Sequence, residues 1–169
     1  VAAEADGFGI YLVADGRLVA ERVSGVDRAA ALRLLVDLQR IAGWTRLRDL
    51  RNPAGAIGPD ELALEIESTA PGATPSTSGD VELTYTGEGA APTVRVRVRN
   101  TGTRRLFVAL LGLSDRYGVQ SLLAGGTGTW LDAVQGAEAR NGNPIPLEVD
   151  DKLWNTGVTR VTDVVKVLA

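Results

Sequence analysis

Val94 to Leu123 reads VRVRVRNTGTRRLFVALLGLSDRYGVQSLL, and the fold class turns on it. Val94, Val96 and Val98 alternate with Arg95, Arg97 and Arg99, so a strand here has one apolar face and one face carrying three guanidinium groups. Such a strand is half buried. Asn100-Thr101-Gly102-Thr103 supplies turn chemistry, and Leu106 to Leu111, LFVALL, is apolar on both faces, the pattern of a central strand covered on both sides. A second break at Ser114-Asp115 precedes Gly118 to Leu123. Three successive strands with short connections predict an antiparallel meander.

Upstream, GIYLV (Gly9 to Val13) and RLVAERV (Arg17 to Val23) flank Asp15-Gly16, a pair that favours a tight hairpin turn. Asp27 is placed to cap a helix, along which Ala31, Leu34, Leu35, Leu38, Ile41 and Ala42 recur at three- and four-residue spacings. Gly43 is expected to interrupt that helix, with Trp44, Leu47 and Leu50 continuing a short second segment until Asn52-Pro53 stops it. Leu62, Leu64 and Ile66 alternate with Ala63, Glu65 and Glu67 as a half-exposed strand, and Val81, Leu83 and Tyr85 alternate with Glu82, Thr84 and Thr86 as another. Between them TAPGATPSTSGD (Thr69 to Asp80) has no apolar anchor and is expected as a mobile surface loop.

Downstream, AGGTG (Ala124 to Gly128) is a Gly-rich loop, Thr129 to Val134 a short strand, and Gln135 to Asn143 a polar segment with an Asn-Gly turn. The prolines of Ile145 to Val149 place that segment at a sheet edge, and Thr162 to Leu168 is the last strand. Strands in this number around one helical segment predict a mainly β protein, an antiparallel β-sandwich of immunoglobulin-like or jelly-roll-like type. A single domain over 1–169 is expected, with residues 27–51 as a helical insertion near the N-terminus.

The chain has 169 residues, 44% hydrophobic and 23% charged, with a net charge of −3. No apolar run approaches the ~20 residues that span a bilayer, and the charge draws neither nucleic acid nor a membrane surface globally. The sequence holds no His and no Cys. Those two absences exclude a Cys-His dyad, a Ser-His-Asp triad, an imidazole base and a zinc site of the usual ligand types. Lys152 and Lys166 are the only lysines, and neither stands in a Ser-x-x-Lys motif. No catalytic residue, cofactor site or metal site is therefore expected. The start, Val1-Ala2-Ala3-Glu4, is neither basic nor apolar and lacks Met, which predicts an excised fragment without a signal peptide.

Four groups of residues invite a chemical reading, each with a plainer one beside it. The glycines of AGGTGT resemble a phosphate cradle, but no Lys-Ser/Thr follows to open a helix, so a connecting loop is expected. Arg95, Arg97, Arg99, Arg104 and Arg105 present guanidinium forks suited to phosphate or carboxylate; the plainer reading pairs them across strands with Glu65, Glu67 or Glu82. Arg40, Arg46, Arg48 and Arg51 beside Trp44 combine basic and aromatic character, where a Trp anchoring its helix is the commoner arrangement. Asp150, Asp151 and Asp163 lack the spacing of a calcium loop, and Asp60-Glu61 lacks any motif of a glycosidase pair.

RVRNTGTRRLFVALLGLS, TDVVKVLA at the end and LQRIAGWTRLRDLRNP upstream together resemble the β-rich accessory domain that accompanies bacterial caspase-like (clan CD) peptidase domains, over roughly Arg28 to Ala169. In that family the His and Cys of the dyad lie in the separate peptidase domain, so the resemblance carries no catalytic residue onto this chain. It implies a non-catalytic, cytoplasmic partner of a protease, acting in substrate recruitment, regulation or assembly, with the catalytic domain or its substrate as protein partner. Arg95, Arg97, Arg99 and Trp44 are the candidate contact residues. The alternative is a free-standing or secreted carbohydrate-binding or adhesion-type sandwich, because such domains share architecture without sharing ligands. Exposed aromatics in a concave patch would favour the second reading; buried tryptophans or one flat apolar patch would favour the first.

Overall fold

The computed structural model describes residues 1–14, 16–51, 55–58, 60–72, 76–77, 79–85, 90–155 and 158–169, with the backbone alone at 152 and 153. It is mainly β, with three antiparallel sheets and one long helix. Contacts sort the chain into two compact units, Val1–Arg51 with Leu113–Val119, and Asn52–Gly112 with Gln120–Ala169. Residues 27–51, which hold the helix, fall in the first of these units.

In the first unit β1 (Ala2–Glu4), β2 (Gly7–Gly9) and β3 (Val23–Ser24) form a small antiparallel sheet in that order. A side chain at Gly7 would come within 2.2 Å of the Val23 carbonyl oxygen, so only glycine lets these two strands approach. The expected hairpin is present as a bridge between Tyr11 and Leu18, with Gly16 at a φ of 69°, while Asp15 lies outside the described residues.

Helix α1 (Arg28–Asp49) starts where Asp27 predicts, its carboxylate accepting from the Ala30 N–H at 2.8 Å. It runs unbroken through Gly43, contrary to the expected interruption. One glycine in a helix costs about 1 kcal/mol, and Trp44 next to it, only 8% exposed, meets the Tyr117 ring edge-on at 5.1 Å. The inward stripe also differs from the expected one: Ala30 and Trp44 are buried, with Leu34, Leu38 and Ile41 partly so, while Ala31, Leu35 and Ala42 are exposed.

The second unit is the sandwich. One sheet has the order β10 (Ile145–Pro146), β5 (Thr93–Asn100), β4 (Leu62–Ser68), with β9 (Gly136–Glu138) also on β5. The other has the order β11 (Val164–Leu168), β6 (Leu106–Leu113), β7 (Val119–Ser121), with β8 (Thr129–Leu131) also on β6. Val94 and Val96 of β5 share a core cluster with Leu110 of β6, Leu122 and Ile145, and Val98 shares a second with Leu106, Val108 and Leu131. Both sheets thus supply one apolar face to a common interior. A short helix, α2 (Asp151–Asn155), precedes β11.

The meander expectation needs correction. β6 and β7 share a sheet, but β5 belongs to the other one, and the chain crosses between sheets at 101–105. Alternation dictates which side chains face inward and is silent on whether the next strand lies beside or opposite. Here the valines of β5 look across at Leu106, Val108 and Leu110, which is face-to-face packing rather than edge pairing.

The reading of LFVALL as covered on both faces also fails at one residue. Leu106, Val108 and Leu110 are buried, whereas Phe107 is 43% exposed. At 81–85 no ladder forms, yet the alternation survives: Leu83 packs against the first core cluster and the Tyr85 hydroxyl accepts from the Val149 N–H at 2.8 Å. Ser76, in the segment expected to be a mobile loop, bridges back to Ile66, while 73–75 and 78 of that segment lie outside the described residues. Leu110→Ala should cost about 2–5 kcal/mol and Phe107→Ala no more than about 1.5 kcal/mol in urea unfolding. Equal losses would contradict the one-sided burial of β6.

Candidate functional site

The expected contact residues separate in the structure. Arg97 lies opposite Glu65 on β4 and Glu138 on β9, with its guanidinium 3.5 Å from the Glu138 carboxylate, and Arg95 lies opposite Glu67. Arg99 faces Ala63 and Gly136. The plainer reading, cross-strand charge pairing, describes this face, with one change of partner: Glu82 meets Arg160 at 3.6 Å rather than a β5 arginine. Trp44 is buried, and the Arg48 guanidinium lies 5.1 Å from its ring. Hydrogen bonding to Asp49 raises the pKa of Arg48 further above its already high value. Trp44 therefore anchors the helix and presents no surface to a partner.

A different face carries two of the exposed aromatics, Phe107 and Trp130. β8 pairs with β6 in the register Leu106 to Leu131, Phe107 to Trp130 and Val108 to Thr129. Leu106 and Leu131 point inward, so Phe107 and Trp130 point outward together. Their rings meet at 5.3 Å and 66°, an edge-to-face pair, and Trp130 remains 53% exposed. Gly128 makes room for this pair, since a side chain there would lie 2.7 Å from the Val108 carbonyl oxygen and 2.9 Å from the Phe107 ring.

The same register carries one row further. Arg105 sits opposite Asp132, and Nε of Arg105 reaches Oδ1 of Asp132 at 3.2 Å while its guanidinium caps one face of the Trp130 ring at 5.0 Å. Beyond this ion pair the chain turns. Asp132 donates its N–H to the Gln135 side-chain oxygen at 2.8 Å, and Gln135 returns its own N–H to the Asp132 carbonyl at 3.1 Å. Inside this closed turn Val134 has a φ of 66° and is 63% exposed. A β-branched side chain in the left-handed region carries about 1–2 kcal/mol of strain that glycine would avoid.

Asn100 holds this surface from behind. Fully buried, it donates its side-chain N–H groups to the carbonyls of Arg104 (2.7 Å), Leu131 (3.1 Å) and Asp132 (3.1 Å), and its oxygen accepts from the Gly102 N–H at 3.0 Å. Its backbone N–H donates to the Gln135 carbonyl at 2.9 Å. Next to it Arg104 pairs with Glu61 at 3.0 Å, which engages one member of the Asp60-Glu61 pair.

Sequence reasoning reached only part of this face. It grouped Arg105 with the other arginines, assigned Phe107 to the core, and gave Trp130, Asp132 and Val134 no role. The available signal was the second apolar face of LFVALL, which an outer sheet surface leaves in solvent. Among the described residues no group of three or more His, Cys, Asp or Glu is placed to hold a metal, Asp150, Asp151 and Asp163 included. No helix among them is long and apolar enough to cross a membrane.

The AGGTGT segment is a loop with positive φ at Gly125, Gly126 and Gly128, as expected. It borders a shallow hollow of about 370 Å³ lined by Leu123, Ala124, Thr129, Ala137, Glu138 and Asn141. No family model matches the chain, and neither a curated protein nor a solved structure does. Because Val134 is held in a strained backbone and packs against little, Val134→Gly should leave stability unchanged or raise it by up to about 1 kcal/mol, the relief of strain offset by greater freedom of the unfolded chain. A loss above about 1 kcal/mol in urea unfolding would show that Val134 supports the fold.

Proposed function

We propose that this chain is a non-catalytic interaction and assembly domain working with a bacterial caspase-like protease, and that it binds protein through the outer face of β6 and β8. The observation that carries the binding face is the exposed Phe107–Trp130 pair with Arg105 over the indole. Trp and Arg are the residue types on which binding energy concentrates in protein interfaces, and here they lie side by side on a rigid sheet instead of on a loop. The protease context rests on the resemblance of RVRNTGTRRLFVALLGLS and its companion segments. The absence of thiol and imidazole from the sequence supports a non-catalytic role, since attack on an amide needs an activated nucleophile. Neither nucleic acid nor a membrane is the proposed partner, and the proposed compartment is the cytoplasm.

One observation favours the carbohydrate-binding alternative: Trp154 is 55% exposed, as Trp130 is, so two of the three tryptophans face solvent. Against it, the guanidinium of Arg105 covers one face of Trp130, where a sugar ring needs a bare platform. Titration of the chain into a bacterial caspase-like catalytic domain, followed by calorimetry, separates the two. Association weakened about 30-fold or more by Trp130→Ala and unchanged by Trp44→Phe is the expected outcome. No association with the catalytic domain, together with quenching of Trp130 fluorescence by soluble oligosaccharides, would overturn the proposal in favour of sugar binding.

A further inference from the structure

We infer that the outward face of α1 docks an amphipathic helix of another protein, one whose apolar stripe ends in acidic residues. The helix is packed on one side and apolar on both. Ala30 and Trp44 are buried in its own unit, whereas Leu32, Leu35 and Val36, roughly opposite them at 3.6 residues per turn, are each more than half exposed. A surface helix ordinarily turns charged and polar residues outward there. Gln39, Ala42 and Gly43 continue the exposed row toward the C-terminus, uncharged and, at Ala42 and Gly43, small. The surface therefore stands high over the leucines and Val36 and falls low over Ala42 and Gly43.

Charge identifies the occupant. Arg28 and Arg46, about five turns apart, leave the helix in the same direction from the two ends of this row, separated by about 27 Å along the axis. Both are exposed, and among the described residues neither guanidinium has a hydrogen-bond or ion-pair partner. The other arginines of α1 are engaged: Arg33 donates to the Ser24 carbonyl, Arg40 pairs with Asp37, and Arg48 pairs with Asp49. A second copy is the wrong occupant, since α1 laid along α1 in full overlap, parallel or antiparallel, sets arginine against arginine at both ends. A lipid surface is also disfavoured: no exposed aromatic stands on this face to enter the headgroup layer, and half of its length is Gln, Ala and Gly.

Gly43 adds support of a different kind. Its φ is not positive, and a side chain there would meet nothing within 4 Å, so the fold of this chain does not require glycine at a position where alanine favours the helix. A second helix crossing at Ala42 and Gly43 approaches the backbone more closely than larger side chains allow.

The probe is a fluorescein-labelled, helix-forming peptide of about 21 residues, with leucines at three- and four-residue spacings and two glutamates at each end; a twin carries lysines at the ends. Titrated with the 169-residue chain in about 50 mM salt and followed by fluorescence anisotropy, the glutamate peptide should bind with a Kd of about 10–100 μM and the lysine peptide at least about tenfold more weakly. The double variant Arg28→Glu, Arg46→Glu should reverse that order. Leu35→Gln should weaken the glutamate peptide at least about fivefold. Gly43→Leu should do the same while leaving the urea midpoint unchanged or higher, which a role in the fold would not allow. Circular dichroism should show every variant folded.

No binding of the glutamate peptide up to about 500 μM overturns the inference, as does binding that the double variant leaves unchanged. Two further outcomes overturn it: binding to phosphatidylserine–phosphatidylcholine vesicles that Leu35→Gln abolishes, with neither peptide bound, makes this a membrane-facing helix, and dimerisation in sedimentation that Leu35→Gln abolishes makes it a self-contact. No residue of the β6–β8 face takes part, so each of these results leaves the functional reading of that face standing.

Discussion

A single buried amide holds the sandwich and its candidate site together. Asn100 stands at the end of β5 in one sheet, yet its side chain bonds to Arg104 near the end of the crossing and to Leu131 and Asp132 at the end of β8 in the other. Two hydrogens shared among three carbonyl oxygens give the Arg104 and Leu131 carbonyls a donor and add a second to the Asp132 carbonyl, which also accepts the Gln135 N–H. The net worth of each bond is about 1 kcal/mol, but removing the donor exposes the larger cost of stranded acceptors. No aliphatic residue of the same size can do this, which is why a fully buried polar side chain stands among valines and leucines.

The same bonds tie architecture to function. Arg104 and Asp132, whose carbonyls Asn100 holds, flank or form the outer ion pair, and Gln135, which closes the Val134 turn, accepts the Asn100 backbone N–H. The outer face of β6 and β8 is therefore built on backbone fixed from inside. Aromatic and charged side chains on such a support lose little freedom when a partner covers them, which is the condition for a few residues to dominate binding. The opposite sheet shows the contrast: Arg95 and Arg97 of β5 lie opposite Glu67 and Glu65 of β4, and Arg97 also opposite Glu138 of β9, so charged rows occupy the outer face there.

Much of the fold was legible from side-chain periodicity. The alternation of β5, the capping carboxylate of Asp27, the half-exposed β4 and the C-terminal β11 all follow from local rules that tertiary contacts reinforce. What escaped was pairing between elements. The valines of β5 read identically whether β6 lies beside them or across from them, and contacts specific to the second arrangement, such as those of the Asn100 side chain to Leu131 and Asp132, join residues remote in sequence. Gly43 read as a helix break because its local cost is visible and the Trp44–Tyr117 contact that offsets it is remote in sequence. For the site, the arginines of β5 drew attention by their number, while Arg105 mattered by its neighbours. Only the β6–β8 register sets Trp130 and Asp132, some 25 positions downstream, beside Phe107 and Arg105.

The most direct measurement is urea unfolding of Asn100→Asp across pH. The carboxylate has nearly the shape of the amide but accepts only, and it would face three carbonyl oxygens in a buried site. Its pKa should rise on folding, because burial and the carbonyl dipoles disfavour the charged form. Stability should then fall as pH climbs above the unfolded value of about 3.9 and recover in part on acidification, relative to the wild-type chain. At pH 7 the loss should be about 3 kcal/mol or more. A variant within about 0.5 kcal/mol of wild type at pH 7, with the same pH dependence, would contradict the role given to Asn100.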